Sequence, residues 1–149
     1  MSRIENKQFL ASEPIDLQLA IQQKLEELED FIGAKQITIS TEFKSPNIKN
    51  INPILFDILL NNLMINAIKY NLDPHGEIII RLDEHTLTIE NTSDIEKIEK
   101  HFLFERSSKS STSSSLGVGL SLIKKITEAF NWQITYSHKN NIHTFKLYL

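Results

Sequence analysis

The chain has 149 residues, 40% of them hydrophobic, which suits one domain with a real core. Its 16 basic and 19 acidic side chains include no basic run, which disfavours nucleic-acid binding, and no signal peptide or apolar run of about 18 residues predicts a membrane span. The absence of cysteine excludes disulfide frameworks and thiolate catalysis and fits a reducing cytoplasm.

The first predicted elements are a helix and a strand that follow a short linker. Residues 1–13 are interpreted as a linker remnant. Apolar residues then recur at helical spacing over about 16–31, and Gly33 follows as a stop signal. Alternation over 36–43 predicts a strand.

A long apolar helix is predicted from Asn52 to about Asn71. Asn52 is a favourable N-cap residue, and Pro53 suits the first helical position.

This helix places three polar residues, Asn62, Asn66 and Lys69, at i, i+4 and i+7, so that they form one stripe. Leu55 and Leu59 continue the stripe toward the helix N-terminus. The amides could simply face solvent. However, a buried amide costs about 1–3 kcal/mol if it is left unpaired, which favours a polar ligand at this position. Amide oxygens are suitable ligands for Mg²⁺, and a neighbouring ammonium suits phosphate groups.

The pattern in the second half of the chain predicts one hairpin before a long loop and a helix, and a second hairpin after them. A turn at 73–76 precedes strands at 77–83 and 86–91. From about 92 to 116 the pattern dissolves into a serine-rich run, which is typical of either a disordered excursion or a mobile lid over a site. A helix at about 118–130 and strands near 132–138 and 143–149 complete the chain. These elements predict a two-layer α/β (α+β) sandwich, with a mixed sheet of about five strands packed on about three helices.

Gly117 and Gly119 stand where the predicted loop becomes a helix. Glycine permits close backbone approach, and the first turn of a helix offers free N–H groups to an anion such as phosphate. A hinge or packing role is the alternative. The dinucleotide fingerprint is absent because Leu122 stands where its third glycine would be, and the P-loop pattern is absent as well.

The order of these features resembles the ATP-binding catalytic domain of sensor histidine kinases, which has the Bergerat ATP-binding fold. The resemblance covers residues 14–149. Residues 62–70 are similar to the family's N box, 103–106 to its F box, and 117–122 to its G2 box.

The resemblance implies a role for each matching residue in binding Mg-ATP. Asn62 and Asn66 would hold Mg²⁺, and Lys69 and Tyr70 would contact the phosphates and the nucleoside. Arg106 and Lys109, on the lid, would reach toward the γ-phosphate. The triphosphate would meet the backbone of the G2 segment, which comprises Gly117, Val118, Gly119 and Leu120. The expected catalytic residues are Asn62, Asn66, Lys69 and Arg106.

The adenine-binding segment departs from the family pattern, which has an aspartate and two spaced glycines. Asn91 stands at the aspartate position, Ser93 at the first glycine and Ile95 at the second. The Asn91 carbonyl oxygen can still accept a hydrogen bond from the adenine amine, but the bond loses its charge assistance. Nucleotide affinity is therefore expected to be weaker than is typical of the family.

The resemblance also implies partners. Histidine kinases phosphorylate a histidine that is typically followed by an acidic residue on a separate dimerisation hairpin, and a response regulator receiver domain then takes the phosphoryl group. None of the five histidines is followed by Asp or Glu, and each is expected at the surface or in a turn. The chain is thus interpreted as an excised, cytoplasmic catalytic domain without direct membrane contact, with little turnover on its own.

Two alternative functions remain open at this point. A degenerate nucleotide-binding or protein-interaction module of the same fold would explain Asn91 and Ser93. An anti-sigma-type Ser/Thr kinase of the same superfamily would require an acidic residue, as a base, at the position that Asn62 occupies.

Overall fold

The computed structural model describes residues 11–44, 46–93 and 114–149, and it describes side chains in the last range from Leu120 onward. The strands are β1 (Glu13–Asp16), β2 (Thr38–Phe43), β3 (Ile48–Ile51), β4 (Glu77–Leu82), β5 (Thr86–Thr92), β6 (Gln133–Lys139) and β7 (Ile142–Tyr148). The helices are α1 (Leu17–Glu27), α2 (Glu29–Ala34), α3 (Pro53–Lys69) and α4 (Ser114–Ala129).

The main sheet has five strands in the order β2-β4-β5-β7-β6. β2 and β4 are parallel, and the other neighbouring pairs are antiparallel. Alternate residues of β4 and β5 are buried on one face, as expected for a sheet that is covered on one side. The predicted two-layer sandwich with a mixed five-stranded sheet is confirmed.

Both predicted hairpins are present, and their turns have local chemical explanations. The Asp83 carboxylate closes the β4–β5 turn by accepting hydrogen bonds from the backbone N–H groups of His85 (2.9 Å) and Thr86 (2.8 Å). These two bonds, that of His85 first, lower the pKa of Asp83. In the β6–β7 turn, Asn140 and Asn141 have φ values of 54° and 61°, a conformation that asparagine tolerates well.

A second, two-stranded sheet was not predicted. β1 and β3 pair antiparallel, with Glu13 opposite Ile51. Each strand has only 4 residues, which is too short for alternation to be recognised in the sequence. Residue Glu13, which the sequence analysis placed in the linker, therefore belongs to a strand, whereas residues 1–10 lie outside the described part of the chain.

The single helix predicted at 16–31 is divided in two. At Leu28 the backbone leaves the helical region, with φ −98° and ψ 9°, and α2 follows. Both Leu28 and Ile32 are buried, so the change of direction keeps the chain in contact with the core. Helical periodicity detected the apolar residues but not this bend, which depends on tertiary packing.

The central helix α3 begins as predicted. The Asn52 side-chain oxygen accepts a hydrogen bond from Leu55 N at 2.9 Å, and Pro53 occupies the first turn. The Asn52 amide also donates to Ala11 O at 2.8 Å, which attaches the segment before β1 to the start of this helix. α3 packs along α4 and against β5, at the centre of the molecule.

Candidate functional site

The two amides of α3 extend a buried apolar stripe. Leu55 and Leu59 are 1% and 0% exposed, and Asn62 and Asn66 follow them as half-buried residues. This placement confirms the predicted stripe. Because residues four apart lie one above the other on a helix, the two amides share one side of α3.

The hydrogen bonds that these amides form within the described residues leave polar atoms available for a ligand. Asn62 Nδ2 donates to Ile58 O at 2.7 Å, which orients the amide and directs Oδ1 away from that carbonyl. Asn66 Nδ2 is buried and has no hydrogen-bond partner among the described residues. An unsatisfied buried amide is costly, and an external ligand is one way to satisfy it. The unpaired Nδ2 donor suits a phosphate oxygen, and the amide Oδ1 atoms suit a hydrated Mg²⁺.

The C-terminal end of α3 is held by a lysine from a distant segment. Lys35 Nζ donates to Ile68 O at 2.9 Å and to Lys69 O at 3.0 Å, so it satisfies carbonyls that the helix leaves open. Lys69 itself is exposed, and its Nζ lies 5.4 Å from the centroid of the Tyr70 ring. The two residues predicted to contact the nucleotide thus sit on a firmly capped helix end.

The end of β5 carries the residues predicted to contact adenine. Asn91 is 5% exposed and Ser93 is 0% exposed. Asn91 Nδ2 donates to Thr92 O at 3.1 Å, which leaves Oδ1 as the acceptor that the amide presents. Ser93 N donates to Asn141 O at 2.9 Å, which ties this strand end to the β6–β7 turn.

The strand order brings these segments to one edge of the sheet. The turn after α3 leads into the start of β4, where Ile78 is paired with Asn91. β7 is antiparallel to both β5 and β6, so β5 and β6 end at this same edge. α4 connects to the opposite end of β6 by a short turn and packs against β6. Its N-terminus therefore lies over the edge that carries Asn91, near the C-terminal end of α3.

Helix α4 begins earlier than the predicted position of about 118. It starts at Ser114, within the serine-rich run, and serine is a favourable residue at a helix N-terminus. Gly117 lies among the first four helical residues, whose N–H groups have no intrahelical partner. Gly119 and Leu120 lie beyond them, and the Leu120 side chain is 0% exposed in the core. Contacts between phosphate and the backbone of residues 117–120 stay a prediction.

Two predicted lid residues, Arg106 and Lys109, lie outside the described residues, as do the F-box segment 103–106 and most of the predicted lid. Their roles stay predictions.

The prediction that every histidine lies at the surface or in a turn is wrong for His143. This residue is 2% exposed, and its Nδ1 lies 2.5 Å from Tyr136 Oη in a hydrogen bond. The His138 ring packs against it at a centroid distance of 4.7 Å. His143 is paired with Asn91 across the β5–β7 ladder, so it borders the candidate site. Neighbouring residues in the sequence gave no signal for this cluster, because strand pairing creates it.

A separate groove of about 400 Å³ lies between α1 and the N-terminal half of α3. Its lining includes Leu19, Phe56 and Asp57 but none of the predicted nucleotide-binding residues. It is therefore distinct from the candidate site.

Comparison with known sequences decides the family. Residues 51–149 match the sequence profile of the histidine kinase-, DNA gyrase B- and HSP90-like ATPases. The chain belongs to this ATPase family. It is also 30% identical to the sensor histidine kinase HprS of Escherichia coli (strain K12) over 151 aligned residues, which cover 97% of this chain. The alignment covers only 33% of HprS, so the chain spans about a third of the length of this relative.

Solved structures show the same fold for this ATPase-family chain. The catalytic domain of the histidine kinase ThkA superposes with a TM-score of 0.79 at 19% identity, covering 91% of this chain and 93% of that one. The histidine kinase AdeS of Acinetobacter baumannii gives 0.74 at 21%, covering 98% and 71%. A mycobacterial sensor histidine kinase, MprB, gives 0.75 at 20%, covering 92% and 97%. The chain is thus a member of this ATPase family, and its fold is the one found in these histidine kinase structures.

The helices in the described ranges of this family member include none with the length and apolar character needed to cross a membrane.

Proposed function

We propose that the chain binds Mg-ATP at the sheet edge described above and supplies the γ-phosphoryl group to a histidine on a separate helical hairpin. The observation that carries this proposal is the pair of half-buried amides on α3, Asn62 and Asn66. Asn66 Nδ2 is buried without a partner among the described residues, and the stripe ends at the edge that also carries Asn91. A ligand that spans from phosphate to base suits this arrangement.

The residues of α3 and its C-terminal cap are proposed to bind different parts of Mg-ATP. The Oδ1 atoms of Asn62 and Asn66 are the proposed Mg²⁺ ligands. When bound, the ion neutralises negative charge on the phosphates, which favours phosphoryl transfer. Lys69 adds a positive charge at the end of the helix, and Tyr70 offers its ring and hydroxyl to the nucleoside.

The base is proposed to lie against the end of β5. Asn91 Oδ1 accepts a hydrogen bond from the adenine amine, while its Nδ2 is held by Thr92 O. Ser93, packed with no exposed surface, shapes the floor of the site. We further propose that the triphosphate meets the first turn of α4, where Gly117 offers a free N–H group, and that Arg106 and Lys109 approach the γ-phosphate.

The partners proposed for the whole protein follow from its family. A dimerisation hairpin would present the phosphoacceptor histidine, and the receiver domain of a response regulator would then accept the phosphoryl group. The domain would work in the cytoplasm, as does the solved cytoplasmic segment of the histidine kinase QseC, which has the same fold with a TM-score of 0.71.

Calorimetric titration of the chain with Mg-ATP and ADP, with and without EDTA, tests the proposal. Saturable binding that EDTA weakens is expected for the unaltered chain. The Asn66→Ala variant is expected to lose magnesium-dependent binding. It should keep its fold and stability, because alanine is the better helix former and Asn66 Nδ2 has no described partner to lose. Circular dichroism and thermal unfolding check this second expectation.

Asn61→Ala is the matched control, since it removes a half-buried amide from the same helix at a neighbouring position. It is expected to bind Mg-ATP normally. Normal Mg-ATP binding by Asn66→Ala would contradict the assignment of α3.

A second candidate function, a nucleotide-binding or interaction module without kinase activity, is favoured by one observation. Asn91 and Ser93 replace the acid and the glycine of the family's adenine-binding segment. Tight, magnesium-dependent binding in the titration counts against this candidate if it is followed by phosphoryl transfer to a hairpin.

A further inference from the structure

A buried asparagine joins the end of α3 to the end of β5. Asn71, which is 7% exposed, immediately follows the Tyr70 helix cap. Its Oδ1 accepts hydrogen bonds from Leu72 N (2.8 Å) and Thr92 Oγ1 (2.6 Å), and its Nδ2 donates to Glu77 O (3.0 Å). One side chain thus holds the turn after α3, the start of β4 and the end of β5. We name this group the Asn71–Thr92 junction, comprising Asn71, Gly76, Glu77 and Thr92.

Thr92 extends the junction to the candidate base contact. Its Oγ1 donates to Asn71 and accepts from Glu77 N at 2.8 Å, which fixes the position of this residue at the strand end. Its carbonyl oxygen accepts the hydrogen bond from Asn91 Nδ2 at 3.1 Å. Thr92 therefore links Asn71 to the Asn91 amide, through its hydroxyl on one side and its backbone carbonyl on the other.

The junction is closely packed at Gly76. A Cβ added to Gly76 would overlap Oδ1 and Cγ of Asn71 and would also approach Leu72 O at 3.0 Å. Glycine at this position is thus required by close packing against the Asn71 amide. Because interiors packed this tightly move little, the junction fixes the relative positions of the segments that it joins.

We propose that Asn71 and Thr92 are positioning residues for the nucleotide, an inference that rests on the proposed function. They orient the Asn91 amide and set its separation from Lys69 and Tyr70, which directly precede Asn71 in the chain. An asparagine amide can rotate to present either its oxygen or its NH₂ group. With Nδ2 held on Thr92 O, Asn91 presents Oδ1, the atom that can accept a hydrogen bond from an exocyclic amine. A rotated amide would present NH₂ to that amine and repel it.

Substitution of Thr92 tests this role. Thr92→Val removes the hydroxyl at nearly constant shape, and Thr92→Ser retains it. We expect Thr92→Val to bind ADP about tenfold more weakly, the effect of one hydrogen bond, and Thr92→Ser to bind it normally. Thr88→Val, on the same strand and the same face, is the matched control and is expected to bind normally. Calorimetry should be done at a temperature at which thermal unfolding shows every variant to be folded.

A double-mutant cycle separates positioning through Asn91 from a purely structural effect. In an Asn91→Ala background, the amide that Thr92 orients is gone, so Thr92→Val is expected to cause no further loss of ADP affinity. An equal loss of affinity in both backgrounds would overturn the inference, as would normal ADP binding by Thr92→Val. Failure of the unaltered chain to bind any nucleotide would overturn the proposed function, and this inference with it.

Discussion

Asn91 shows what one residue contributes to a site and how far a sequence can reveal it. The resemblance of residues 89–95 to an adenine-binding segment identified Asn91 as a candidate adenine contact. The residue is 5% exposed, which agrees with that interpretation. The orientation of its amide depends on Thr92 O and, through Thr92, on Asn71. This second contact comes from a residue distant in sequence, so no local pattern predicts it.

Replacing Asn91 with aspartate is expected to tighten ATP binding by about fivefold to tenfold, because a carboxylate forms the stronger, charge-assisted hydrogen bond with the adenine amine. The substitution gives up the bond from Nδ2 to Thr92 O, but either carboxylate oxygen can accept, so orientation matters less. Calorimetry with Mg-ATP measures the change. Asn50→Asp, an exposed substitution on β3, controls for the added charge. Unchanged or weaker ATP binding by Asn91→Asp would show that the base contact is elsewhere.

At the scale of the element, helix α3 carries the amide stripe and is fixed at its start, its side and its end. The start was predictable, because the Asn52 cap and Pro53 are local features of the sequence. The other two anchors are lysines from other segments. Lys35 caps the C-terminal carbonyls, and Lys24 of α1 reaches Asp57 of α3 at 2.9 Å. Partners that lie more than 30 residues apart cannot be identified from helical periodicity.

Lys24 is the buried member of an ion-pair triad with Asp57 and Glu27, both at 2.9 Å. Its side chain is 4% exposed, whereas those of Asp57 and Glu27 are 62% and 60% exposed. Burial opposes the charge, but the hydrogen bonds and ion pairs with the two carboxylates outweigh burial and raise the pKa of Lys24. The stabilisation linked to this shift is full at neutral pH and is lost only as the pH rises through the raised pKa.

This asymmetry in burial predicts an asymmetry in stability. In Lys24→Met, the two carboxylates remain hydrated, so the expected loss in the free energy of unfolding is below about 1.5 kcal/mol. The double variant Asp57→Asn with Glu27→Gln leaves a buried ammonium without an anionic partner, so a loss of about 3 kcal/mol is expected. Urea unfolding at pH 7 compares the two. A larger loss in Lys24→Met than in the double variant would contradict this account.

At the scale of the whole molecule, the sequence predicted the main sheet better than it predicted the site. Strands β4 and β5, and likewise β6 and β7, are joined by local turns whose residues are recognisable, such as Asn140 and Asn141 with positive φ. The small β1–β3 sheet escaped prediction because its strands are short and are separated by two helices and β2. The convergence of α3, β5 and α4 on one edge follows only from the complete strand order. The candidate site therefore depends on the topology of the sheet. Sequence motifs could identify its residues but could not predict the contacts between them.

The histidines of the whole chain bear on the acceptor of the proposed phosphoryl transfer. The histidines at 75, 85, 101, 138 and 143 are followed by Gly, Thr, Phe, Lys and Thr, none of them acidic. His143 is also buried and hydrogen-bonded to Tyr136, so its ring is held within the fold. The acceptor is therefore expected to belong to another segment or another chain.

Incubation with ATP labelled on its γ-phosphate tests this expectation. The chain alone is expected to acquire no acid-labile, base-stable label, the signature of phosphohistidine. Label should appear on a separately supplied helical hairpin that carries the phosphoacceptor histidine of a sensor histidine kinase. Asn66→Ala should abolish that transfer, whereas Asn61→Ala should preserve it, because only the former removes a proposed ligand of Mg²⁺. Phosphohistidine on the isolated chain would contradict the need for a separate acceptor. An unlabelled hairpin despite saturating Mg-ATP binding would favour the module without kinase activity, since nucleotide binding and transfer would then have been separated.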